Sequence, residues 1–403
     1  MRAVAAAAAA AAAIVVPALA GCLEELPGEA VSESEVVGGA NAAAGKWPDV
    51  AAVLWSGQLM CTGVLIAPTV ALTAGHCNDP TLTKIIVGTS SLARATEGET
   101  INVVKRIEYP SSRETEDLTV LVLERPSRLP PRAIATGWAR ADILDGAAVA
   151  IAGYGAIDRD ATKYVSELQE AETAITDADC TEKPGCHAVV APGGELGAGG
   201  MGTDTCPGDS GGPLYLLTSY GEFLAGITSR SYADALFDCS EGGIYARPDR
   251  VIDWIEESAG VPVARGPEPA VDAITVVRGR GAETSIRVGD PKTKKHTFSV
   301  VEPPSRGAAK VRDDGRVRVC IDPEAAPGDD AVTVKIADRA RAARAVSVRI
   351  PVVVEDGEPE PDCSVDDFEG GGCCDSGRGG RGSIPLALGV LAALRRRRSP
   401  VLR

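Results

Sequence analysis

The sequence predicts an all-β protein in which two β-rich regions follow one another along the chain. In the larger region, residues 36–259, short runs of Val, Ile, Leu and Thr alternate with Gly, Pro, Asn and Asp. Regular short strands separated by turn residues are typical of a β-barrel or a β-sandwich. The clearest runs are 50–55, 63–66, 84–87, 118–123 and 147–152. The region closes at 250–257, where the spacing of the apolar residues predicts a C-terminal helix.

The second β-rich region, residues 271–355, follows a Pro/Gly linker at 260–270. Its apolar runs predict a small β-sandwich. The segment 303–307 (Pro-Pro-Ser-Arg-Gly) resembles bacterial cadherin-like or Ig-like repeats, which implies a spacer or adhesion module. In this region we expect His296 on a strand surface and Cys320 as a small core residue. Residues 356–372 are acidic and predict a disordered linker.

Composition limits the functional classes. The formal net charge is -15, which argues against nucleic acid as a general partner. Eleven cysteines in a chain with an export signal predict disulfides. Zinc is the competing interpretation, but there are three histidines and no Cys-x-x-Cys spacing. We therefore expect neither a metal nor a cofactor.

The first 35 residues predict processing signals. A positive start and an Ala/Val run predict a signal peptide over residues 1–21. The end of this run, Leu19-Ala20-Gly21-Cys22, resembles a bacterial lipobox, which implies lipidation of Cys22. The alternative is a plain signal peptide cut near Ala20. Residues 22–35 are acidic and predict a flexible propeptide.

The C-terminal residues 373–403 also predict a sorting segment. Cys373-Cys374 precede an apolar run at 384–394 and four arginines at 395–398. This pattern resembles the myxobacterial C-terminal sorting tail, which implies membrane retention followed by release. The alternative is a tail anchor with positive-inside arginines, although the run is shorter than the roughly 20 residues that a span needs. Either interpretation predicts an exported protein, at the cell surface, in the outer membrane or in the medium.

Three residues have the chemistry for amide hydrolysis, which requires a nucleophile, a base and donors for the oxyanion. His76 lies in Thr-Ala-Gly-His-Cys, and Ser210 lies in Gly-Asp-Ser-Gly-Gly-Pro. Asp117 precedes an apolar run, where a lone acid is costly without a partner. Glu114 and Glu116 compete with it for this role. The amides of Gly208 and Ser210 are the predicted oxyanion donors, since glycine allows close substrate approach.

These motifs, in the order His, Asp, Ser, resemble the trypsin/chymotrypsin-like serine proteases. The resemblance covers residues 36–259 and implies a double β-barrel with a C-terminal helix. It implies that cleavage before Val36 frees an α-amino group to pair with buried Asp209. It also implies three disulfides, namely Cys61–Cys77, Cys180–Cys186 and Cys206–Cys239; in the second of these the loop is shorter than usual.

The resemblance extends to the substrate pocket. Asp204 stands where trypsin-like members place an acid at the pocket floor, and Gly243 matches the glycine that leaves the pocket open. A carboxylate there implies cleavage after Arg or Lys. Ser229 matches the serine that supports the catalytic Asp, on a strand that pairs with the substrate backbone.

Some residues depart from the family pattern. Arg230 replaces an aromatic residue and is expected to disfavour basic residues elsewhere in the substrate, while Ser231 replaces a glycine and is expected to narrow the pocket rim. Residues 193–202 are interpreted as a glycine-rich insertion. The residue before Val36 is Glu35, and no Lys or Arg lies between Cys22 and Val36, which predicts a separate activating protease.

The sequence thus predicts a secreted serine endopeptidase that acts on proteins or peptides after Arg or Lys. Its expected partners are its substrates, its activating protease and the cell envelope at either end. The alternative is a catalytically weak or inactive surface adhesion protein that uses the same fold as a scaffold. The presence of all three residues, His76, Asp117 and Ser210, favours the enzyme.

Overall fold

The computed structural model describes residues 37–110, 117–188, 193–359 and 363–368. The predicted signal peptide and propeptide, Cys22, Val36 and the Cys373-Cys374 tail lie outside these residues, as do Glu114 and Glu116. No helix among the described residues has the length and apolar character needed to cross a membrane. The chain divides into two compact units, each described by itself. The first contains the residues up to Ala270 together with Val288–Thr297 and Ile336–Val346.

The first unit begins with a short strand and a closed six-stranded barrel. Val, Leu, Ile and Ala side chains from all six barrel strands fill its interior, and Val53, Leu65, Ile85 and Leu121 are fully buried. The strands are β1 (Ala40–Asn41), then β2 (Val50–Trp55), β3 (Gln58–Ala67), β4 (Val70–Thr73), β5 (Leu82–Val87), β6 (Glu99–Glu108) and β7 (Thr119–Leu123). Their order around the barrel is β2-β3-β4-β7-β6-β5. Short 3-10 helices at Gly75–Cys77 and Leu92–Glu97 lie between strands.

A second ring of six strands follows in the same unit. It comprises β8 (Ala148–Gly153), β9 (Gln169–Asp177), β10 (Glu195–Ala198), β11 (Pro213–Thr218), β12 (Gly221–Ser231) and β13 (Gly243–Ala246). The order is β9-β10-β13-β12-β11-β8, and pairing of β8 with β9 closes the ring, while β1 adds to β9. All pairings are antiparallel. The two barrels agree with the fold class that the sequence predicts for this region.

Two α-helices accompany the barrels. Along the chain, helix α1 (Gly137–Arg140) lies between β7 and β8, and α2 (Ile252–Ala259) follows β13. The sequence predicts a helix at 250–257, but Pro248–Arg250 form a 3-10 turn, so the α-helix begins later. It ends at Gly260, whose φ of 69° is the left-handed conformation that glycine adopts without strain.

The glycine-rich segment 193–202, whose composition suggests an insertion, contains part of the second barrel. Its residues Glu195–Ala198 form β10, which pairs with β9 and β13 inside the second barrel. Within this strand Gly197 has no room for a side chain. A Cβ on Gly197 would lie 2.5 Å from the hydroxyl oxygen of Tyr232.

The C-terminal β-rich region forms two sheets. Its strands are β14 (Ile274–Val277), β15 (Gly281–Ser285), β16 (His296–Glu302), β17 (Gly307–Val311), β18 (Arg316–Ile321), β19 (Gly328–Asp338) and β20 (Ala345–Glu355). One sheet has the order β14-β20-β19-β16 and the other β15-β18-β17. A sandwich of the two sheets stays a prediction.

One expectation for this region is confirmed and one is wrong. Cys320 is buried, as expected for a small core residue, and it also forms a disulfide with Cys363, 43 positions later in the predicted acidic linker. His296 is not on a strand surface. It is 7% exposed, and its Nε2 lies 2.9 Å from Oδ2 of Asp290. Asp290 also binds the buried Arg344, which in turn binds Asp142 at 2.7 Å. Buried charged groups of this kind are stable only when they are paired.

A buried acid joins the first barrel to the second. Asp49 immediately precedes β2 and is 1% exposed. Its Oδ1 accepts a hydrogen bond from Nη2 of Arg132 at 2.7 Å, and its Oδ2 accepts one from the hydroxyl of Tyr215 on β11 at 2.6 Å. The ring of Tyr215 stacks on that of Trp47 at 4.4 Å. This cluster fixes the position of β11, the strand that follows Ser210.

We predict that Asp49→Ala lowers the free energy of unfolding by about 3 kcal/mol, because it leaves the Arg132 guanidinium without its buried partner. Chemical denaturation measures this change. Asp160→Ala, the same substitution at an exposed position, is expected to change stability by less than about 0.5 kcal/mol. Equal losses in the two variants would contradict the assignment of Asp49 as a buried anchor.

Candidate active site

His76 and Asp117 form a close pair at the end of the first barrel. The 3-10 turn Gly75–Cys77 follows β4 and turns the His76 backbone N–H towards Asp117 Oδ1, at 2.8 Å. The ring Nδ1 lies 2.8 Å from Oδ2 of the same carboxylate. An ionised carboxylate only accepts hydrogen bonds, so Nδ1 carries the proton and Nε2 is left as the basic nitrogen. The His76 side chain is 40% exposed, which leaves the ring accessible from solvent.

Asp117 is the most completely bonded acid of the site. It precedes β7, is 2% exposed, and its Oδ2 also accepts a hydrogen bond from the hydroxyl of Ser229 at 2.7 Å. Burial by itself would raise the pKa of Asp117. The hydrogen bonds and charge of His76, together with the bond from Ser229, outweigh burial and hold this pKa below its usual value. The carboxylate therefore stays ionised at neutral pH.

The loop that carries Ser210 is bonded to the same part of the first barrel. The Ser210 carbonyl accepts a hydrogen bond from the Thr62 amide at 2.9 Å and lies 3.7 Å from the sulfur of Cys77. Gly211 has a φ of 83°, and a Cβ there would lie 2.1 Å from the Thr73 hydroxyl oxygen. The glycine after Ser210 is thus required for this approach, which brings Ser210 beside the turn that contains His76.

The peptide group between Pro207 and Gly208 has a fixed orientation. Its carbonyl accepts a hydrogen bond from the Ala156 amide at 3.0 Å. In a trans peptide the N–H points opposite to the carbonyl, so the Gly208 N–H faces away from Ala156. Gly208 has a φ of 101°, and its carbonyl accepts a hydrogen bond from the Thr62 hydroxyl at 2.9 Å. Both features hold this conformation. The predicted oxyanion donors therefore occupy one rigid loop.

Asp209 points to the interior. It is 1% exposed, and its two carboxylate oxygens accept hydrogen bonds from the amides of Gly155 at 2.7 Å and Cys206 at 2.9 Å. Burial raises the pKa of Asp209 to about 7, against the effect of these two bonds, and the charge of Asp204 adds to the increase. An added cation beside Asp209 would be strongly stabilised.

Asp204 lies beside Gly243. It is 1% exposed and accepts hydrogen bonds from the amides of Thr205 at 2.8 Å and Gly242 at 2.9 Å. Burial raises its pKa to about 6. A Cβ on Gly243 would lie 3.4 Å from Asp204 Oδ1, so the glycine keeps the approach to this carboxylate open. The Asp204 amide donates to the carbonyl of Val37 at 3.3 Å, which puts the first described residue next to this acid.

The end of β12 carries the two departures from the family pattern. The Ser231 hydroxyl donates to the carbonyl of Asp238 at 3.2 Å. The Arg230 guanidinium binds Glu195, with Nη1–Oε1 and Nη2–Oε2 distances of 2.7 and 2.9 Å. Sequence reasoning missed Glu195. The available signal was an acid within the short run of small and apolar residues that forms β10.

Three disulfides surround these residues. The structure pairs Cys61 with Cys77, Cys180 with Cys186, and Cys206 with Cys239. The first fixes the turn of His76 to β3, and the third joins the Ser210 loop to the segment before β13. Cys61, His76 and Cys77 lie close enough to share a metal ion. The two sulfurs are bonded to each other, however, and do not act as thiolate ligands.

Comparison with known proteins places this chain in a family. The trypsin family model matches residues 36–255. Coagulation factor XII of Sus scrofa is 31% identical over 261 residues, which cover 59% of this chain and 42% of that protein. Serine protease 56 of Mus musculus is 30% identical over 255 residues, covering 59% of this chain and 41% of that protein. The chain thus spans about two fifths of the length of these curated relatives.

A solved structure is also similar. Neuropsin, described as a serine protease expressed in the limbic system of mouse brain, is 25% identical, with a TM-score of 0.46. The match covers 55% of this chain and 98% of that one. Because the family model spans more than half of the sequence, the chain belongs to the trypsin family of serine proteases.

Proposed function

We propose that this protein is an exported serine endopeptidase that hydrolyses peptide bonds after Arg or Lys. The observation that supports this most is the His76–Asp117 pair beside the Ser210 loop. The pair has an ionised, buried acid, a fixed imidazole tautomer and an accessible ring. These are the requirements for activating a serine hydroxyl.

In the proposed mechanism, Ser210 Oγ attacks the scissile carbonyl while His76 Nε2 accepts its proton. Asp117 holds the ring and stabilises the imidazolium that forms. His76 then gives the proton to the leaving amine, and the acyl group remains on Ser210. The amides of Gly208 and Ser210 bind the oxyanion of each tetrahedral intermediate. Water then attacks the acyl carbonyl while His76 accepts its proton; the bond to Ser210 Oγ breaks, and His76 returns the proton to Oγ as the product acid leaves.

Specificity for a long cation is proposed from Asp204 and Gly243. A buried carboxylate without a nearby guanidinium or ammonium gains most from a substrate cation. The pKa of about 6 for Asp204 supports this, since its bonding partners within the described residues are backbone amides. Ser231 lies at the rim of this proposed pocket and would limit the width of the side chain that enters.

Activation by cleavage before Val36 is proposed from Asp209. A free α-amino group at Val36 would pair with this buried carboxylate and lower its raised pKa, which fixes the loop that carries Ser210. Val37 already lies beside Asp204. Because Glu35 precedes the cleavage site, a protease of different specificity would be the activator.

Export is proposed from the disulfides of the described residues, because such bonds persist in oxidising compartments. Lipidation of Cys22 and retention through residues 373–403 remain part of this proposal. The cell surface, the outer membrane and the medium are the destinations that it allows.

The central test uses protein that begins at Val36 and peptide substrates that differ only in the residue before the scissile bond. We expect turnover after Arg and Lys and little after Phe or Ala. Ser210→Ala is expected to lower kcat by about 10⁴-fold or more, because the nucleophile is lost. No turnover of any substrate, with Ser210→Ala identical to the parent, would favour the adhesion scaffold instead.

The pH dependence of cation binding tests Asp204. Only the ionised carboxylate attracts a cation, so affinity for an aromatic amidine should fall about tenfold per pH unit as the pH drops below about 6. Asp204→Asn should bind weakly at every pH, with no such decline. Asp238→Asn, the same change at an exposed acid near the rim, should retain the parent profile. Calorimetric titration provides the measurement, and unchanged binding in Asp204→Asn would refute the assignment.

The activation proposal predicts that Glu35→Arg makes the precursor process itself, because the enzyme would then meet its own preferred residue before Val36. N-terminal sequencing over time provides the measurement. The parent precursor and the Glu35→Arg/Ser210→Ala variant should both remain uncut. Maturation of the purified parent precursor at the same rate would show that no separate activator is needed.

A further inference from the structure

Ser229 lies between two buried carboxylates. On one side its hydroxyl donates to Asp117 Oδ2 at 2.7 Å. On the other side its oxygen accepts a hydrogen bond from Arg230 Nη1 at 3.2 Å, and the same nitrogen donates to Glu195 Oε1 at 2.7 Å. Asp117 is 2% exposed and Glu195 is 0% exposed. One guanidinium nitrogen therefore stands between a second buried acid and the serine that supports Asp117.

The hydroxyl of Ser229 has a single proton, so it can donate to only one acceptor. A guanidinium has donors and no acceptor. While Arg230 donates hydrogen bonds to both the Ser229 oxygen and Glu195, the Ser229 hydroxyl donates its proton to Asp117 and not to Glu195. Without Arg230, a buried and unpaired Glu195 would compete for that proton and add a second negative charge near His76.

Arg230 is held rigidly enough for this role. Its two terminal nitrogens bind both oxygens of Glu195, and Nη2 also donates to the carbonyl of Gly185 at 2.7 Å. The planar fork matches a carboxylate in a way that a lysine ammonium does not. The other described contact of Glu195 is the His187 amide, at 2.8 Å. Burial raises the pKa of Glu195, while the bonds from Arg230 and the His187 amide act in the opposite direction.

We propose that Arg230 is a positioning residue that insulates the His76–Asp117 pair from Glu195 and directs the Ser229 proton to Asp117. The inference rests on the proposed function, since it concerns the same three residues. It also changes the expectation for Arg230 in substrate selection. Its charge is neutralised by Glu195, so it does not repel basic residues of the substrate as a free guanidinium would.

The deciding measurement is the NMR titration of His76 in full-length Ser210→Ala protein, with signals assigned by His76→Ala. Arg230→Gln is expected to raise the His76 pKa by about one unit, because uncompensated negative charge favours the imidazolium. Glu195→Gln is expected to lower it by about half a unit, because Arg230 is then unneutralised. The double variant Arg230→Gln/Glu195→Gln should return to within about 0.3 unit of the parent.

These opposite signs separate an electrostatic role from a structural one. Shifts in the same direction, no shift in either single variant, or no recovery in the double variant would overturn the proposal. If Arg230→Gln does not fold, the other two variants still test the proposal. Glu195→Gln should lower the His76 pKa, whereas the double variant should leave it near the parent value. Arg265→Gln and Glu256→Gln, made at a partly exposed pair with a 2.7 Å contact, are the matched controls and should leave His76 unchanged.

Kinetics on the protein that begins at Val36 gives a second measurement. Arg230→Gln is expected to lower kcat about tenfold, with KM for a simple arginine amide within about twofold, and the double variant to recover to within about threefold. A change confined to KM would oppose the proposal. Absent turnover in the parent would count against the proposed function alone. The His76 titration needs no turnover and would still test the role of Arg230.

Discussion

The site depends on the burial of one carboxylate, that of Asp117. A charge that is 2% exposed is stable only with donors around it. Here the donors are the backbone N–H and the ring Nδ1–H of His76, which follows the first barrel's strand β4, and the hydroxyl of Ser229 on β12 of the second barrel. The hydrogen bonds that stabilise this single charge therefore connect the two barrels beside the Ser210 loop. The imidazole tautomer follows from the same contacts.

Three other buried acids near the site, Asp204, Asp209 and Glu195, are stabilised less completely. Asp204 and Asp209 are held by backbone amides, which do not offset burial, and their pKa values rise to about 6 and about 7. Burial also raises the pKa of Glu195, but this acid has a bidentate guanidinium partner. The first two acids are therefore places where an arriving cation gains free energy, whereas the third is already neutral as a pair. This difference underlies the proposed roles of a substrate side chain and of a new α-amino group.

The features predicted correctly from sequence are those encoded by neighbouring residues. The run at 50–55 coincides with strand β2, and the motifs around His76 and Ser210 carry their own glycines and cysteines. The position of Asp117 at the start of an apolar run predicts a partner for it, and the structure pairs it with His76. The features that the sequence did not predict involve partners that are distant along the chain. Cys320 meets Cys363, 43 residues later, and His296 is buried by contacts that no periodicity reports.

The Arg230–Glu195 ion pair is a feature that the sequence could have predicted if the two residues had been considered together. Arg230 in place of an aromatic residue, taken alone, indicates a changed surface charge. An acid in a run of small and apolar residues, taken alone, indicates the end of a strand. A buried acid is costly unless it is paired, so an acid on β10 and a cation on β12, the two strands that flank β13, together indicate an ion pair. The structure brings the two charges together across 35 residues of chain, and the neutral pair that they form can act on Ser229 only because neither charge is left over.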